Sequence, residues 1–400
     1  MSVGDARVGT SSVLVVSNQS ATHDATRVGV IGAGQLARMM GEAAHDVGVT
    51  ITVLATSLED SAVSTCDHVI VGDARDTTAI ELLSGAVDVL TFDHELVDLE
   101  HIVLLEAQGV VVRPSAGALR FAVDKAYQRR ELSEAGLPVP RFLVVRSSAD
   151  ARIHKFLDQL HDPPVVKAAR GGYDGRGVLF PADRAETLTM IDEVCINGEA
   201  VLEERLMLRS EVAQLVARDV DGALVLYPLV TTVQSEGMCV EVRFPSGVAT
   251  QLANEAAELA TRIAPLIDVV GILAIELFVT DVGLVVNELA TRPHNSGHWT
   301  IEGARTSQFA NHLRAVSGQP LGPTTPTCDV AVMVNVVGGN QPSSLEAARG
   351  VTDVHVHDYG KSWRPGRKLG HVTALGDDEG ATHVRAWESA RAYGTRTREK

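Results

Sequence analysis

The chain has 400 residues, enough for two or three domains with ample core, and carries 35 Lys plus Arg against 51 Asp plus Glu, a net charge of −16. That acidity is spread along the chain. It argues against a nucleic-acid surface, and no apolar run approaches a membrane span. The four cysteines, Cys66, Cys195, Cys239 and Cys328, form no close pair, which fits a reducing cytoplasm and gives no structural zinc spacing.

Residues 1–26 lack a charged start and a credible apolar length for a secretion signal, and are expected as a disordered or loosely attached extension. From Arg27 the pattern turns regular. Residues 28–31 predict a buried strand, Gly32-Ala-Gly34-Gln-Leu-Ala37 opens a helix, and strands follow at 50–54, 69–71, 87–91 and 109–112. Alternating strands and helices imply a parallel, doubly wound α/β sheet over 27–115. A helix over 116–135, stopped by Gly136-Leu-Pro-Val-Pro140, opens a strand-rich unit over 116–322 with helices at 254–267 and 307–317. Pro320, Pro323 and Pro326 read as a linker into a small β-rich domain over 323–390, and 391–400 as a frayed tail.

The glycine turn at 32–37 matches a dinucleotide fingerprint, with Ala37 at the third small position. A nicotinamide site also wants an acid closing the second strand, which instead ends Leu54-Ala55-Thr56. The turn still offers backbone N–H groups to a phosphate, and Gln35 a hydrogen-bonding edge. Further on, Gly171-Gly-Tyr-Asp-Gly-Arg-Gly177 can close over phosphates with its N–H groups, and Lys167 can add a point charge. The Gly-Lys-Ser/Thr ending of a Walker loop is missing. Tyr173, Asp174 and Arg176 offer a donor, a carboxylate and a guanidinium to a second substrate. Leu202-Glu203-Glu204-Arg205-Leu206 and Glu211 read as a pocket-lining strand, with a merely charged strand as the plainer alternative.

Glu276-Leu-Phe-Val-Thr-Asp-Val-Gly-Leu-Val-Val-Asn-Glu288 predicts a hairpin. With a three-residue loop at 281–283, Thr280 faces Leu284, Phe278 faces Val286 and Glu276 faces Glu288. Opposed carboxylates ~4.5–5.5 Å apart repel, and oxygen ligands suit Mg²⁺; the alternative is a pair of rim glutamates. Leu273, Ile275, Leu277 and Val279 fill the other face. Arg292, His294, Asn295 and His298 follow closely, and Lys361-Ser-Trp-Arg-Pro-Gly-Arg-Lys368 sets four cations in eight residues, a plausible phosphate clamp or a solvated basic turn.

From Val28 to Val372 these segments together resemble the N5-carboxyaminoimidazole ribonucleotide synthetase family of ATP-grasp enzymes. The resemblance rests on Gly32-Ala-Gly-Gln-Leu36, the 171–177 loop, Asn287-Glu288, Arg292-Pro-His-Asn-Ser-Gly-His-Trp-Thr300, and Tyr359-Gly-Lys361 with Pro365-Gly-Arg-Lys-Leu-Gly-His371. It implies an ATP-grasp fold with a Rossmann-like pre-ATP-grasp domain and a small β-rich C-terminal domain. It also implies a cytoplasmic homodimer that acts on ATP, bicarbonate and 5-aminoimidazole ribonucleotide, with Mg²⁺.

Carried over residue by residue, Lys125 and Lys167 would touch ATP phosphates. Gly172, Tyr173, Asp174, Gly175, Arg176, Gly177 and Val178 would cover them. Glu203, Glu204, Arg205 and Leu206 would form the adenine hinge, Glu211 would accept from ribose, and Gln234 would lie near the nucleotide. Glu276 and Glu288 would hold Mg²⁺ with help from Asn287, which needs a local bulge to reach them. Gln35, Leu36, Glu95, Arg292, His294, Lys361 and Arg367 or Lys368 would bind the ribonucleotide. Thr291, Gln234 and Asp93 depart from the proline, histidine and glutamate usual at these positions.

The reaction implied begins with bicarbonate attacking the γ-phosphoryl group to give carboxyphosphate, which the amine then captures. Asp174 would handle the amine proton and Arg176 the anion, with Tyr173 beside them, under a 171–177 loop that closes over the nucleotide. Rival readings are another ATP-grasp ligase, such as a formate-using transformylase or a biotin carboxylase, a nicotinamide dehydrogenase, and a catalytically silent nucleotide-binding regulator.

Overall fold

The computed structural model describes residues 2–8, 11–17, 25–172, 177–339 and 344–395. Its first sheet has six strands, in the order Ser2–Val8, Ser11–Ser17, His68–Val71, Val49–Ala55, Thr26–Ile31, Val89–Phe92. The last four run parallel, as the alternation predicts. Val28, Val30, Ile51 and Val53 are fully buried, the pattern of strands covered on both faces. The expected 109–112 strand shrinks to one bridge, Val112 to Leu90.

The amino-terminal extension departs from expectation. Two strands form an antiparallel hairpin that joins the open edge at His68–Val71. The run Val13-Leu-Val-Val16 is β-branched enough to pair wherever an edge offers unpaired N–H and C=O groups.

The helix expected over 116–135 is two helices, Ala116–Val123 and Lys125–Glu134. Asp124 between them is extended (φ −125°, ψ 94°) and its carboxylate caps the second helix at the Tyr127 N–H. The Lys125 N–H is given to the Ala169 carbonyl instead, which makes Lys125 the first residue of a new helix. Next comes a four-stranded antiparallel sheet, ordered Phe142–Val145, Ala200–Glu203, Val165–Ala168, Val178–Leu179. Helices Arg152–Leu157 and Arg184–Cys195 cover it through Ile153 and Ile191, where only strands are expected. Asp183 and Glu186 have the spacing of a capping box, and Asp183 does accept from the Glu186 N–H.

A nine-stranded antiparallel sheet completes the molecule. It runs Gly283–Ala290, Gly271–Thr280, Ser210–Arg218, Val230–Ser235, Met238–Phe244, Val330–Val337, Lys368–Gly376, Val354–Asp358, with Leu224–Leu226 beside Ser210–Arg218. The expected β-rich tail domain therefore has no sheet of its own: Val330–Val337 pairs directly with Met238–Phe244. The C-terminal region carries three of these strands, and a 14-residue helix, Glu379–Ala392, capped by Asp378, seals their core. Of the tail expected to fray, Thr395 bridges Gly338, and 396–400 lie outside the described residues.

Helix Gln308–Val316 joins the first sheet to the largest one. Phe309, Leu313 and Val316 enter the first domain's core. His312 bonds the Thr91 hydroxyl through Nε2 (2.8 Å) and accepts the Ile272 N–H at Nδ1 (3.1 Å). Burial pushes its imidazole down to about 3, so it is a neutral joint between the two sheets.

Candidate active site

The hairpin Gly271–Thr280/Gly283–Ala290 departs from its expected register twice, and the departures cancel. The loop is two residues, Asp281 and Val282, so Thr280 faces Gly283 and Leu277 faces Val286. A bulge then places Asn287 opposite no residue, and Glu276 faces Glu288 again. Leu273, Ile275, Leu277 and Val279 pack into the core on the other face. The bulge turns Asn287 toward the carboxylates: its amide donates to Glu276 Oε2 (3.2 Å) and its Oδ1 accepts from Lys167 Nζ (3.4 Å).

Two acid sites lie side by side here, one buried at Glu203 and one half-buried at Glu276 and Glu288. Glu203 is 2 % exposed between Arg129 (2.7 Å) and Lys167 (2.7 Å). Burial alone would raise its pKa, but the two cations outweigh burial and hold the carboxyl down to about 2. Glu276 has no such neutralisation. Burial first, then the facing Glu288, pushes it up to about 7, with His294 Nε2 only at 3.5 Å. Burial would also raise Glu288, but Lys125 at 2.6 Å leads the cations that keep it below the ordinary range. The break at Asp124 positions that lysine, and one turn later Arg129 donates to the Asn287 carbonyl and steadies the bulge.

The deficit of positive charge at Glu276 is what a divalent cation would relieve. Among the described residues no three His, Cys, Asp or Glu side chains converge on one point. Mg²⁺ needs only one or two carboxylates and completes its shell with water and phosphate oxygens, which Glu276 and Glu288 can satisfy. The donor set fits the ion.

Both acid sites open into one cavity of about 1210 Å³. This exceeds the usual range of about 300–1,000 Å³ for a single small ligand, so there is room for two. At one end lie Lys125, Lys167, Gly172, Val178, Arg205, Leu206, Glu211 and Gln234. Arg205 and Leu206 follow the strand Ala200–Glu203 in a segment without regular secondary structure, and Arg205 lies over the Phe180 ring (5.5 Å). Burial raises Glu211. The side chains of Glu203 and Glu204 are engaged within the protein, the first in its ion triad and the second with Arg141 through two bonds of 2.7 Å, which leaves a hinge here to backbone groups.

At the other end, Arg292 donates to Glu95 (2.7 Å), and Lys361 donates to Gln35 Oε1 (2.6 Å) across 326 residues of chain. Burial pushes Lys361 down to about 8. Leu36, His294 and Lys368 line the wall, whereas Arg367 is turned onto Ser362 (2.8 Å) and away from it. The glycine turn offers no phosphate cradle. The Asp93 carboxylate already takes the Gly34 N–H (2.9 Å) and the Ala37 N–H (2.8 Å), and a Cβ at Gly34 would meet it at 2.5 Å. An internal anion thus occupies the helix terminus that a dinucleotide would need. Tyr173, Asp174, Gly175 and Arg176, with the closure expected of their loop, lie outside the described residues.

Known proteins share this arrangement along most of the chain. Residues 25–123 match a ribonucleotide synthetase preATP-grasp domain, 130–309 an ATP-grasp domain, and 331–385 a phosphoribosylaminoimidazole carboxylase C-terminal domain. The N5-carboxyaminoimidazole ribonucleotide synthase of Mycobacterium tuberculosis is 46% identical over 362 residues, 88% of this chain and 84% of that protein. The chain belongs to the N5-carboxyaminoimidazole ribonucleotide synthase family, which is made of ATP-dependent ligases. The Corynebacterium ammoniagenes synthase is 41% identical over 89% of each chain. The structure of the Thermus thermophilus synthetase superposes with a TM-score of 0.84 at 32% identity, covering 93% of this chain and all of that one. An Aspergillus clavatus synthase in complex with ADP and 5-aminoimidazole ribonucleotide superposes at 0.83 with 28% identity, over 92% and 99% of the two chains.

Three residues of this family member's site escape sequence reasoning. Arg129 sits in a helix among other charged residues, and nothing in the local pattern separates it from them. Asp93 stands out only as a substitution. Gln308, 14 residues beyond His294, carries no local signal at all, yet it holds both the N–H and the C=O of His294.

Proposed function

We propose that the cavity carboxylates the amine of 5-aminoimidazole ribonucleotide with bicarbonate, converting ATP to ADP and phosphate and giving N5-carboxyaminoimidazole ribonucleotide for purine biosynthesis. One observation carries this reading. A single cavity is lined by a cation-deficient carboxylate pair and by a cationic group, Arg292 and Lys368, which Lys361 joins through its bond to the lining residue Gln35. The first suits a metal-bound triphosphate, the second a phosphate monoester.

A bicarbonate oxygen attacks the γ-phosphorus, the bond to the β-phosphate oxygen breaks, and ADP leaves behind carboxyphosphate. Phosphoryl transfer asks chiefly for positioning and charge neutralisation. Lys125 and Lys167 supply charge, held in place by Glu288 and by Glu203 with Asn287. Glu276 and Glu288, with Asn287 beside them, would hold Mg²⁺, which when bound neutralises phosphate charge. The acceptor nitrogen then attacks the carboxyl carbon of carboxyphosphate, or CO₂ released from it, and phosphate departs. Asp174 takes the amine proton and Arg176 steadies the anion, with Tyr173 adjacent; these three roles rest on the sequence motif. Glu95 and Gln35 orient Arg292 and Lys361 for the acceptor phosphate.

The family resemblance supports a cytoplasmic homodimer. The four cysteines are free, as a reducing compartment allows, and no helix among the described residues is long and apolar enough to cross a membrane. The test is ADP release with ATP and bicarbonate against a panel of amine acceptors. Strong stimulation by aminoimidazole ribonucleotide alone is expected, and ADP release indifferent to that acceptor contradicts the reading.

A further inference from the structure

His298 lines the acceptor end of the cavity, yet the mechanism above leaves it without a task. Its surroundings fix which of its nitrogens carries the proton. Gln308, fully buried, accepts the His294 N–H at Oε1 (2.8 Å) and donates to the His294 carbonyl through Nε2 (2.7 Å). A backbone N–H can only donate and a carbonyl can only accept, so the amide cannot be flipped. The same Nε2 lies 3.1 Å from His298 Nδ1. An amide nitrogen donates, so Nδ1 must accept and is unprotonated. The remaining proton of a neutral imidazole is then on Nε2.

Three further observations agree. Burial holds the His298 pKa well below its ordinary value, with cationic neighbours adding to the effect, so the ring is neutral. His371 at 4.9 Å and Phe309 at 5.7 Å pack against the ring and limit its rotation. Gly297 has no side chain because a Cβ there would lie 2.4 Å from Gln308 Oε1, so the turn is shaped around the amide.

We propose that His298 is a substrate-contacting residue, a neutral Nε2–H donor aimed into the acceptor half of the cavity, with Gln308 as the positioning residue that sets its tautomer. The donor would serve an oxygen of the acceptor or of carboxyphosphate. An N–H without a positive charge can bond that oxygen without competing with the Arg292 and Lys368 cations for the phosphate. The inference rests on the proposed reaction for its substrate, but not for its tautomer.

Two measurements separate the inference from that reading. Nitrogen shifts of ¹⁵N-histidine-labelled protein, with His298 assigned by its disappearance in His298→Asn, are expected to show a protonated Nε2 and a bare Nδ1. A bare Nε2 overturns the proposal whatever the reaction is. Kinetically, a glutamine amide nitrogen can occupy the place of Nε2, whereas that of asparagine reaches only the place of Nδ1. Wild-type ADP release that depends on the acceptor establishes the reaction first. His298→Asn is then expected to lower acceptor kcat/KM about 10- to 100-fold, and His298→Gln to recover most of it. Equal losses in the two variants, or no loss in His298→Asn, overturn the assigned role.

Discussion

Glu203 and Glu276 line one cavity wall, the first buried and the second half-buried, and their environments are opposite. Glu203 is enclosed by Arg129 and Lys167, and its carboxyl is held down to about 2. Glu276 faces Glu288 and is pushed up to about 7. The first site is electrically closed and serves the architecture, because it fixes Lys167 and, through Arg129, the Asn287 bulge. The second is open, and the fold leaves it short of the charge that the metal-bound nucleotide would bring. Burial alone does not mark a functional carboxylate. A missing counter-charge does.

Substitutions that keep shape and remove charge separate the two sites most sharply. Glu288→Gln is expected to lower kcat by about 100-fold or more, while circular dichroism and the thermal midpoint stay near wild type. Wild-type turnover at limiting Mg²⁺ would remove the metal role. Glu203→Gln strands two buried cations, so a loss of about 3–5 kcal/mol is expected in denaturant unfolding. An unchanged denaturation midpoint would show that the triad is not structural.

The pH dependence of that loss follows from the sign of the shift. Glu203 binds its proton less readily folded than unfolded, so its contribution is complete above about pH 4.5 and is lost as pH falls through about 2. The stability difference between wild type and Glu203→Gln is therefore expected to shrink on acidification below pH 4.5. A difference that grows there would reverse the assignment.

The two ends of the cavity were not equally legible in the sequence. The carboxylate pair could be found because a hairpin converts sequence spacing into cross-strand distance. It was found despite a loop one residue too long, since the residue saved in the turn reappears as the bulge at Asn287. Lys125 was legible only through resemblance. Its place depends on a helix break at Asp124, and a run of good helix formers hides that break. The Glu203 triad joins residues 129, 167 and 203, and no local pattern reports such a meeting. The same holds for Gln308 and for Asp93, whose capping bonds span more than 50 residues. Helix Glu379–Ala392 went unread because glycine and proline turns in the strands before it dominate the pattern, although Asp378 marks its start.

Smaller effects test the acceptor end. Gln35→Ala removes the partner of Lys361 and is expected to raise the acceptor KM about 5-fold, with ATP KM unchanged. An equal rise in both would place Gln35 in general packing. Deleting residues 1–24 removes the added edge strands Ser2–Val8 and Ser11–Ser17, and turnover is expected within about 2-fold of wild type. A large loss would tie that hairpin to the site.

The central claim is that the Glu276–Glu288 face is built for a cation brought with the nucleotide. Calorimetric titration of ATP, with and without Mg²⁺, tests it on wild type and on the Glu276→Gln, Glu288→Gln double variant. Mg²⁺ is expected to tighten ATP binding to wild type strongly and to leave the double variant's affinity unchanged. The same Mg²⁺ dependence in both proteins would contradict it.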